Sequence, residues 1–209
     1  GLQAMIWLLI FALIYLICSI PSGYLFARSK GIDISKHGSS NIGAANVARV
    51  MGKKWGYLVG LCDFLKGFLA AKLGFLIASH FLLSSVLGSV IAAIASILGH
   101  NYTVWLGFKG GKGIATSGGA VLALLPPLVF VSAAVVWIAV FFISRFTSLA
   151  SMSAALALPI AVLLIGAKTG TDFWLLIGSS VLMTALAIWR HRGNIVRLLN
   201  GTENRFGKK

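Results

Sequence analysis

Acid is what this chain has least of. Asp33, Asp63, Asp172 and Glu203 stand against 18 lysines and arginines, for a formal net charge of +14. Charged residues of both signs make up only 11% of the 209 positions, where a soluble domain carries roughly a quarter. An ordinary water-soluble globule with a charged skin is thereby excluded. Cysteine is also scarce. Cys18 and Cys62 both lie inside apolar runs, so there is no disulfide framework and no thiolate metal site, and both act as small hydrophobes.

Apolar sequence is what is present: 58% of residues are hydrophobic. Runs near the bilayer-spanning length of about 20 residues recur along the whole chain. A single such run is compatible with a signal peptide, whereas five or more are not, and the pattern predicts an all-α, polytopic membrane protein. The length leaves room for one membrane domain and none for a soluble catalytic domain beside it. Residues 1–4 lack an initiator Met and read as a cloning remnant, with Met5 as the native start and residues 5–209 as the domain. The excess of Lys and Arg fits cytoplasmic loops under the positive-inside rule and attraction to anionic lipid headgroups, so no nucleic-acid partner is implied.

Charge also orients the spans. The first apolar run covers residues 4–27. The polar, Gly-rich loop at 28–54 holds Arg28, Lys30, Lys36, Arg49, Lys53 and Lys54 against one acid, Asp33, and belongs in the cytoplasm, placing the N-terminus outside. Runs at 55–79 and 81–98 form a hairpin around Ser79-His80. The basic stretch at 100–113 returns inside, and the basic tail from residue 190 belongs there too. Simple counting fails over the long run at 114–144, because three crossings between it and the tail leave the tail outside. Breaking the run at Pro126-Pro127 restores parity, with Arg145 inside and Lys168 and Asp172 outside. About seven transmembrane helices result. The alternative is a single tilted helix through the two prolines, with different ends elsewhere. In the broken version the segment at 114–125 is too short to span, so the 100–113 loop dips into the membrane. Irregular backbone at that depth survives only inside protein or beside water.

Three polar clusters exceed what an apolar bundle needs. The first runs from His37 to Arg49 and offers Ser39, Ser40, Asn41 and Asn46 as neutral hydrogen-bond partners, with Arg49 as a fork for phosphate. The second is Gly99-His100 followed by Phe108-Lys109-Gly110-Gly111-Lys112-Gly113-Ile114-Ala115-Thr116. Successive glycine amides form an anion nest, the helix starting near Ile114 points its positive end at the same place, and two lysines add full charge. No Walker sequence is present. The third is Arg190-His191-Arg192-Gly193-Asn194, continuing through Arg197 and Leu198 to Glu203. Asp63 and Lys66, one turn apart in an apolar run, read as a mutually paired intramembrane couple.

Together the clusters resemble the bacterial acyl-phosphate-dependent glycerol-3-phosphate acyltransferases, the PlsY-type family, over nearly the whole chain to Arg205. The family pattern GSGNIGATNVxR is matched from Gly38 to Arg49, the pattern GHxxPxFxxFKGGKGVAT from Gly99 to Thr116, and HRxNIxRLLxGxE from His191 to Glu203. Departures are few: Ser40 stands for Gly, Ala45 for Thr, and Val104 lies near the usual Pro. Spacing to Asn41 and Arg49 assigns the motif serine to Ser39.

The resemblance implies seven spans in the bacterial cytoplasmic (inner) membrane, the N-terminus outside, the C-terminus cytoplasmic and the active site at the cytoplasmic face. It implies transfer of an acyl group from acyl phosphate to the 1-hydroxyl of sn-glycerol 3-phosphate, giving lysophosphatidic acid and inorganic phosphate. No cofactor or metal is implied, membrane lipids are the surroundings, and oligomerisation is not required. Soluble-headed acyltransferases use an H-x₄-D pair. Here none of His37, His80, His100 or His191 has an Asp five residues later. Catalysis is expected to rest on positioning and electrostatics. Ser39, Arg49, Lys112, His191 and Asn194 are the expected catalytic residues. Asn41, Asn46, Arg49, His100, Lys109, Gly110, Gly111, Lys112, Gly113 and Thr116 are expected to hold substrate phosphate, with Asp63 and Glu203 structural. His191 as general base and a substrate phosphate oxygen as proton acceptor both remain open. A transporter for phosphorylated solutes is the competing class, since broken helices facing anions suit it too. The two halves show no inverted repeat.

Overall fold

A computed structural model of the chain describes residues 1–166 and 170–207. Lys168, expected outside the membrane, lies outside the described residues. Every regular element among the described residues is helical. The chain divides into two compact units, residues 1–124 and 125–209.

The first unit holds α1 (Leu2–Cys18), α2 (Ser22–Arg28), α3 (Ala44–Met51), α4 (Lys53–His80), α5 (Ser85–Asn101) and α6 (Ile114–Leu124). Along α1 the residues Ile6, Ile10, Ile14 and Cys18 recur every fourth position and are buried against Ala70 of α4 and Ala92 and Ala95 of α5. The apolar run read as one span at residues 4–27 is in fact two helices. Pro21 lacks the amide that would continue the ladder, and Ile20 before it is biased away from the α conformation. The break releases carbonyls for other partners. That of Ser19 accepts from the Thr103 hydroxyl, and that of Ile20 accepts from Lys66 Nζ at 2.5 Å.

The stretch at 28–54, read as loop, also contains α3. This helix turns Asn46 and Val47 inward and packs on α4, where Gly56 lets the Ala44 and Ala48 backbone approach closely. Helices α4, α5 and α6 form the heart of the unit. Lipid offers helices no hydrophobic drive to associate, so small residues that bring backbones together must supply it. Gly74 of α4 faces Gly88 of α5, Gly67 faces the Thr116 carbonyl of α6, and Gly119 of α6 faces the Phe64 backbone. A Cβ at any of these four glycines would overlap its neighbour.

The second unit holds α7 (Pro127–Ser144), α8 (Thr147–Ile165), α9 (Thr171–Arg190) and α10 (Arg192–Leu199), with α8 packed on both α7 and α9. Pro126 caps α7 and Pro127 is its first residue, so the long run at 114–144 is broken where its prolines fall. The tilted single helix is not what forms. Pro159 inside α8 removes the amide that would bond the Ala155 carbonyl, and Thr184 Oγ1 of α9 reaches that carbonyl at 2.6 Å. Trp137 of α7 donates to Ser151 of α8 at 3.1 Å.

Among the described residues five stretches are long and apolar enough to cross a bilayer: Leu2–Arg28, Ser85–Leu106, Pro127–Ser144, Thr147–Ile165 and Thr171–Arg190. Helix α4 has 28 residues, about 42 Å, but carries Asp63, Lys66 and Lys72. Helix α6 has 11 residues, about 16 Å, roughly half the hydrocarbon thickness.

Candidate active site

The first cluster is organised by one amide. Asn46 on α3 is 2% exposed. Its Oδ1 accepts the Ser39 backbone amide at 2.8 Å, and its Nδ2 donates to the carbonyls of His37 at 3.0 Å and Asn41 at 2.9 Å. The loop from 37 to 43 is thus wrapped around a single buried side chain, which leaves Asn46 more in the frame of the loop than at its mouth. Gly38, with φ of +59°, sits where a Cβ would collide with Asn46 Oδ1. Ser40 adopts φ of +57°, the left-handed region where glycine is at ease, at the position where the resembled family pattern has Gly. Asn41 Oδ1 accepts the Gly43 amide at 2.8 Å and sets up the start of α3. Arg49 is exposed on α3, its Nη1 3.4 Å from Asn46 Oδ1. Outside this ring, a hydrogen bond from the Ser35 hydroxyl is the chief cause holding the Asp33 carboxyl below its usual range.

The second cluster lies in the same unit. Leu106 packs on the apolar patch of Ile34, Ile42 and Val47 beneath the first loop, which sets the two loops side by side. Gly113 has φ of +75°, and a Cβ there would lie 2.6 Å from Asn101 Oδ1. Its conformation turns the chain from the loop into α6, so the amides at the helix start follow directly on Gly110 and Gly111. Gly111 donates its amide to the His100 carbonyl at 3.0 Å. Gly110 lies flat on the His100–Asn101 backbone, and Gly111 on the His100 ring. Lys109 is exposed and Lys112 half-buried. Backbone amides, a helix N-terminus and two ammonium groups at one loop are what binding a phosphate dianion needs. Thr116, expected among the phosphate ligands, is fully buried at the contact of α6 with Gly67.

His100 was expected at the phosphate as well. Its ring instead lies beneath the loop, with Nδ1 3.6 Å from Asp63 Oδ1. Lys66 Nζ is 3.2 Å from the same oxygen, so the Asp63–Lys66 pair expected from sequence forms and has a third member.

The third cluster belongs to the second unit. His191, 2% exposed, stands between α9 and α10 with Nδ1 2.8 Å from the Ala187 carbonyl. A carbonyl only accepts, so Nδ1 carries the proton, and in the neutral ring Nε2 is the basic nitrogen. Glu203 gathers the tail: its carboxylate accepts from Ser148 Oγ of α8 at 2.8 Å, Asn194 Nδ2 at 2.6 Å and Arg197 Nε at 2.8 Å. Burial pushes the Glu203 carboxyl up, but the hydrogen bonds from Asn194, Ser148 and Arg197 together outweigh it and hold it below its usual range. Glu203 thus clasps Ser148, Asn194 and Arg197 together, and it fixes the rotation of the Asn194 amide. Phe206 continues the fold-back, its amide bonded to the Arg145 carbonyl at 2.8 Å.

Sequence reading missed two residues here. Ser148 is a buried hydroxyl at the start of an apolar helix, and its partner lies 55 positions away. Asn101 is fully buried against Gly113, and its only sequence signal is an amide directly after His100 at the edge of a span.

Buried small-residue contacts between apolar helices, with two cation-bearing glycine and asparagine loops at their ends, define a polytopic helical membrane protein. The chain belongs to the glycerol-3-phosphate acyltransferase family, whose model matches residues 8–201. It is 42% identical over 206 residues to a glycerol-3-phosphate acyltransferase of Desulforudis audaxviator (strain MP104C), covering 98% of each chain. Over 201 residues it is 42% identical to one of Aquifex aeolicus (strain VF5), covering 96% of this chain and 98% of that one. A crystal structure of PlsY (YgiH), an integral membrane glycerol 3-phosphate acyltransferase in its glycerol 3-phosphate form, superposes with a TM-score of 0.85 at 39% identity over 96% of both chains. The lysophosphatidic acid form of the same protein gives 0.82 at 39% identity, over 96% of this chain and 95% of that one. The chain is thus an integral membrane acyltransferase.

Proposed function

We propose that this chain moves a fatty acyl group from acyl phosphate to the 1-hydroxyl of glycerol 3-phosphate, releasing inorganic phosphate and leaving lysophosphatidic acid in the membrane. The observation that carries this reading is the loop at 109–113: glycine amides and two lysines running into the start of α6. The glycerol 3-phosphate and lysophosphatidic acid forms of the solved relative support it. Acyl phosphate is an activated donor whose phosphate leaves readily as an anion, so positioning and charge are sufficient catalytic means.

In this reading Lys109, Lys112 and the amides of Gly110 and Gly113 hold a substrate phosphate, while Gly111, whose amide is bonded to the His100 carbonyl, shapes the loop. Arg49 binds phosphate through its fork, and Ser39, ordered by Asn46, orients a reacting oxygen. The 1-hydroxyl oxygen attacks the acyl carbon, the bond from that carbon to the phosphate oxygen breaks, and the proton leaves the hydroxyl. His191 keeps the role the family resemblance implies, with either its imidazole, held in one tautomer by the bond from Nδ1 to the Ala187 carbonyl, or a phosphate oxygen of the substrate taking the proton. Asn194, rotationally fixed by Glu203, assists orientation.

The topology belongs to the same proposal. Helix α4, and α6 together with the loop that dips in before it, join the five apolar stretches as crossings, giving seven spans with the N-terminus outside and the C-terminus in the cytoplasm. The basic loops and tail support a cytoplasmic active-site face in a bacterial inner membrane, with residues 5–209 serving one acyltransferase function.

Purified protein in detergent, given palmitoyl phosphate and glycerol 3-phosphate, is expected to release phosphate and form lysophosphatidic acid without added metal or thioester. Detergent abolishes transport, so turnover there also separates this reading from a carrier. No acyl transfer under those conditions refutes it.

A further inference from the structure

Buried beneath the phosphate loop is a cluster that the proposed chemistry does not use. Asp63 is 3% and His100 7% exposed, deep between α4 and α5. Burial of an acid among apolar helices carries a large desolvation cost, and such acids pair or serve a function. Lys66 answers part of the cost, but its ammonium also caps the Ile20 carbonyl freed by the break at Pro21. The same Asp63 oxygen is also 3.6 Å from His100 Nδ1. Neutralising Lys66 does not require a histidine at that oxygen as well.

The His100 ring is the floor of the loop. Gly111 lies so close to its Nε2 edge that a Cβ would overlap it, and the Gly111 amide bonds the His100 carbonyl. An imidazole turns broadly about its second side-chain torsion. A turned ring would lift Gly111 and misdirect the amides between Lys109 and Lys112. A carboxylate 3.6 Å from Nδ1 biases the ring toward one orientation and hence toward one shape of the nest.

We propose that Asp63, acting through His100, is a positioning residue that sets the shape of the Lys109–Gly113 loop and with it the affinity for the phosphorylated acceptor. This rests on the reading that the loop holds the phosphate of glycerol 3-phosphate. Asp63→Asn keeps size and removes the carboxylate's hold. His100→Gln removes the ring and leaves the Asp63–Lys66 pair intact.

Steady-state kinetics in detergent, with glycerol 3-phosphate and palmitoyl phosphate varied separately, test the proposal. Each single variant is expected to raise KM for glycerol 3-phosphate on the order of tenfold, with KM for palmitoyl phosphate within about twofold of the parent. The Asp63→Asn/His100→Gln double variant is expected to match the singles, because both remove one device. Multiplying effects in the double, or singles with normal KM, overturn the proposal. So does recovery of normal KM in Asp63→Asn/Lys66→Met, since Asp63 would then serve only to neutralise Lys66. Should Asp63→Asn fail to accumulate, His100→Gln alone decides: a selective rise in acceptor KM supports the proposal and a normal KM overturns it. Gly111→Leu separates the two levels of inference. A normal acceptor KM in Gly111→Leu removes the phosphate reading of the loop itself. A raised KM there, beside normal Asp63 and His100 variants, removes only the positioning role.

Discussion

Replacing Asn46 by alanine removes three hydrogen bonds that tie residues 37–41 to α3: those with the Ser39 amide and with the carbonyls of His37 and Asn41. Each neutral bond of this kind contributes about 1 kcal/mol net, so the loop loses roughly 3 kcal/mol of local stability. At 1.36 kcal/mol per tenfold, the opened population of the loop rises on the order of 100-fold. Hydrogen–deuterium exchange in detergent reads this directly as faster exchange at Ser39, with α4 and α5 unaltered. Turnover is expected to fall with it, because Ser39 and Arg49 lose their frame. Asn46→Asp sharpens the test. It keeps shape and Oδ1 but turns an acceptor oxygen toward the His37 and Asn41 carbonyls, so it should loosen the loop at least as much as alanine. If Asn46→Ala leaves exchange at Ser39 at the parent rate while KM for glycerol 3-phosphate climbs, the reasoning is wrong. Asn46 would then be a direct phosphate ligand, the role its sequence position first suggests.

His191→Ala is expected to lower kcat by at least about 100-fold with little change in either KM, as befits a group handling the proton; a loss of only a few-fold in kcat would remove it from the chemistry. Gly119→Val places a branched side chain against the Phe64 backbone and is expected to lower the detergent melting temperature sharply, whereas Gly178→Val, with open space around it, should not. Glu203 has a folded-state pKa below its ordinary value of 4.5, so its clasp is at full strength above that value and is lost as pH falls through the folded one. Limited proteolysis of the tail should accelerate on acidification in the parent, and Glu203→Gln should be cleaved quickly at every pH.

Features set by local chemistry were legible in the sequence. The break at Pro126-Pro127 follows from the missing proline amide and a charge-parity count. The Asp63–Lys66 pair follows from one-turn spacing, and the Arg197–Glu203 pair from a lone acid among cations. Features set by distant partners were not. Nothing in the run at 4–27 shows that the break at Pro21 frees a carbonyl for a lysine 46 positions on. His100 reads as a phosphate ligand beside three glycines until α4 brings Asp63 against it. Asn46 reads as one more polar side chain in a polar loop, and α3 is hidden in that loop because it is only eight residues long and weakly apolar, with Asn46 and Val47 as its buried pair. The amide's role appears only when residues 34–41 wrap around it.

The glycine-to-backbone contacts of α4, α5 and α6 also bear on biogenesis. Helices α4 and α5 can each enter the bilayer with their own ladder satisfying the backbone, whereas α6 is half a span and needs them beside it. The loop at 109–113 has no such independence: its floor is the end of α5, its exit is the start of α6, and α4 brings the two together. A newly inserted chain therefore carries every residue of the cradle and no cradle. The site comes into being only at the docking step, so a lesion at Gly67, Gly74, Gly88 or Gly119 should yield protein that is inserted, full-length and unable to take up phosphate.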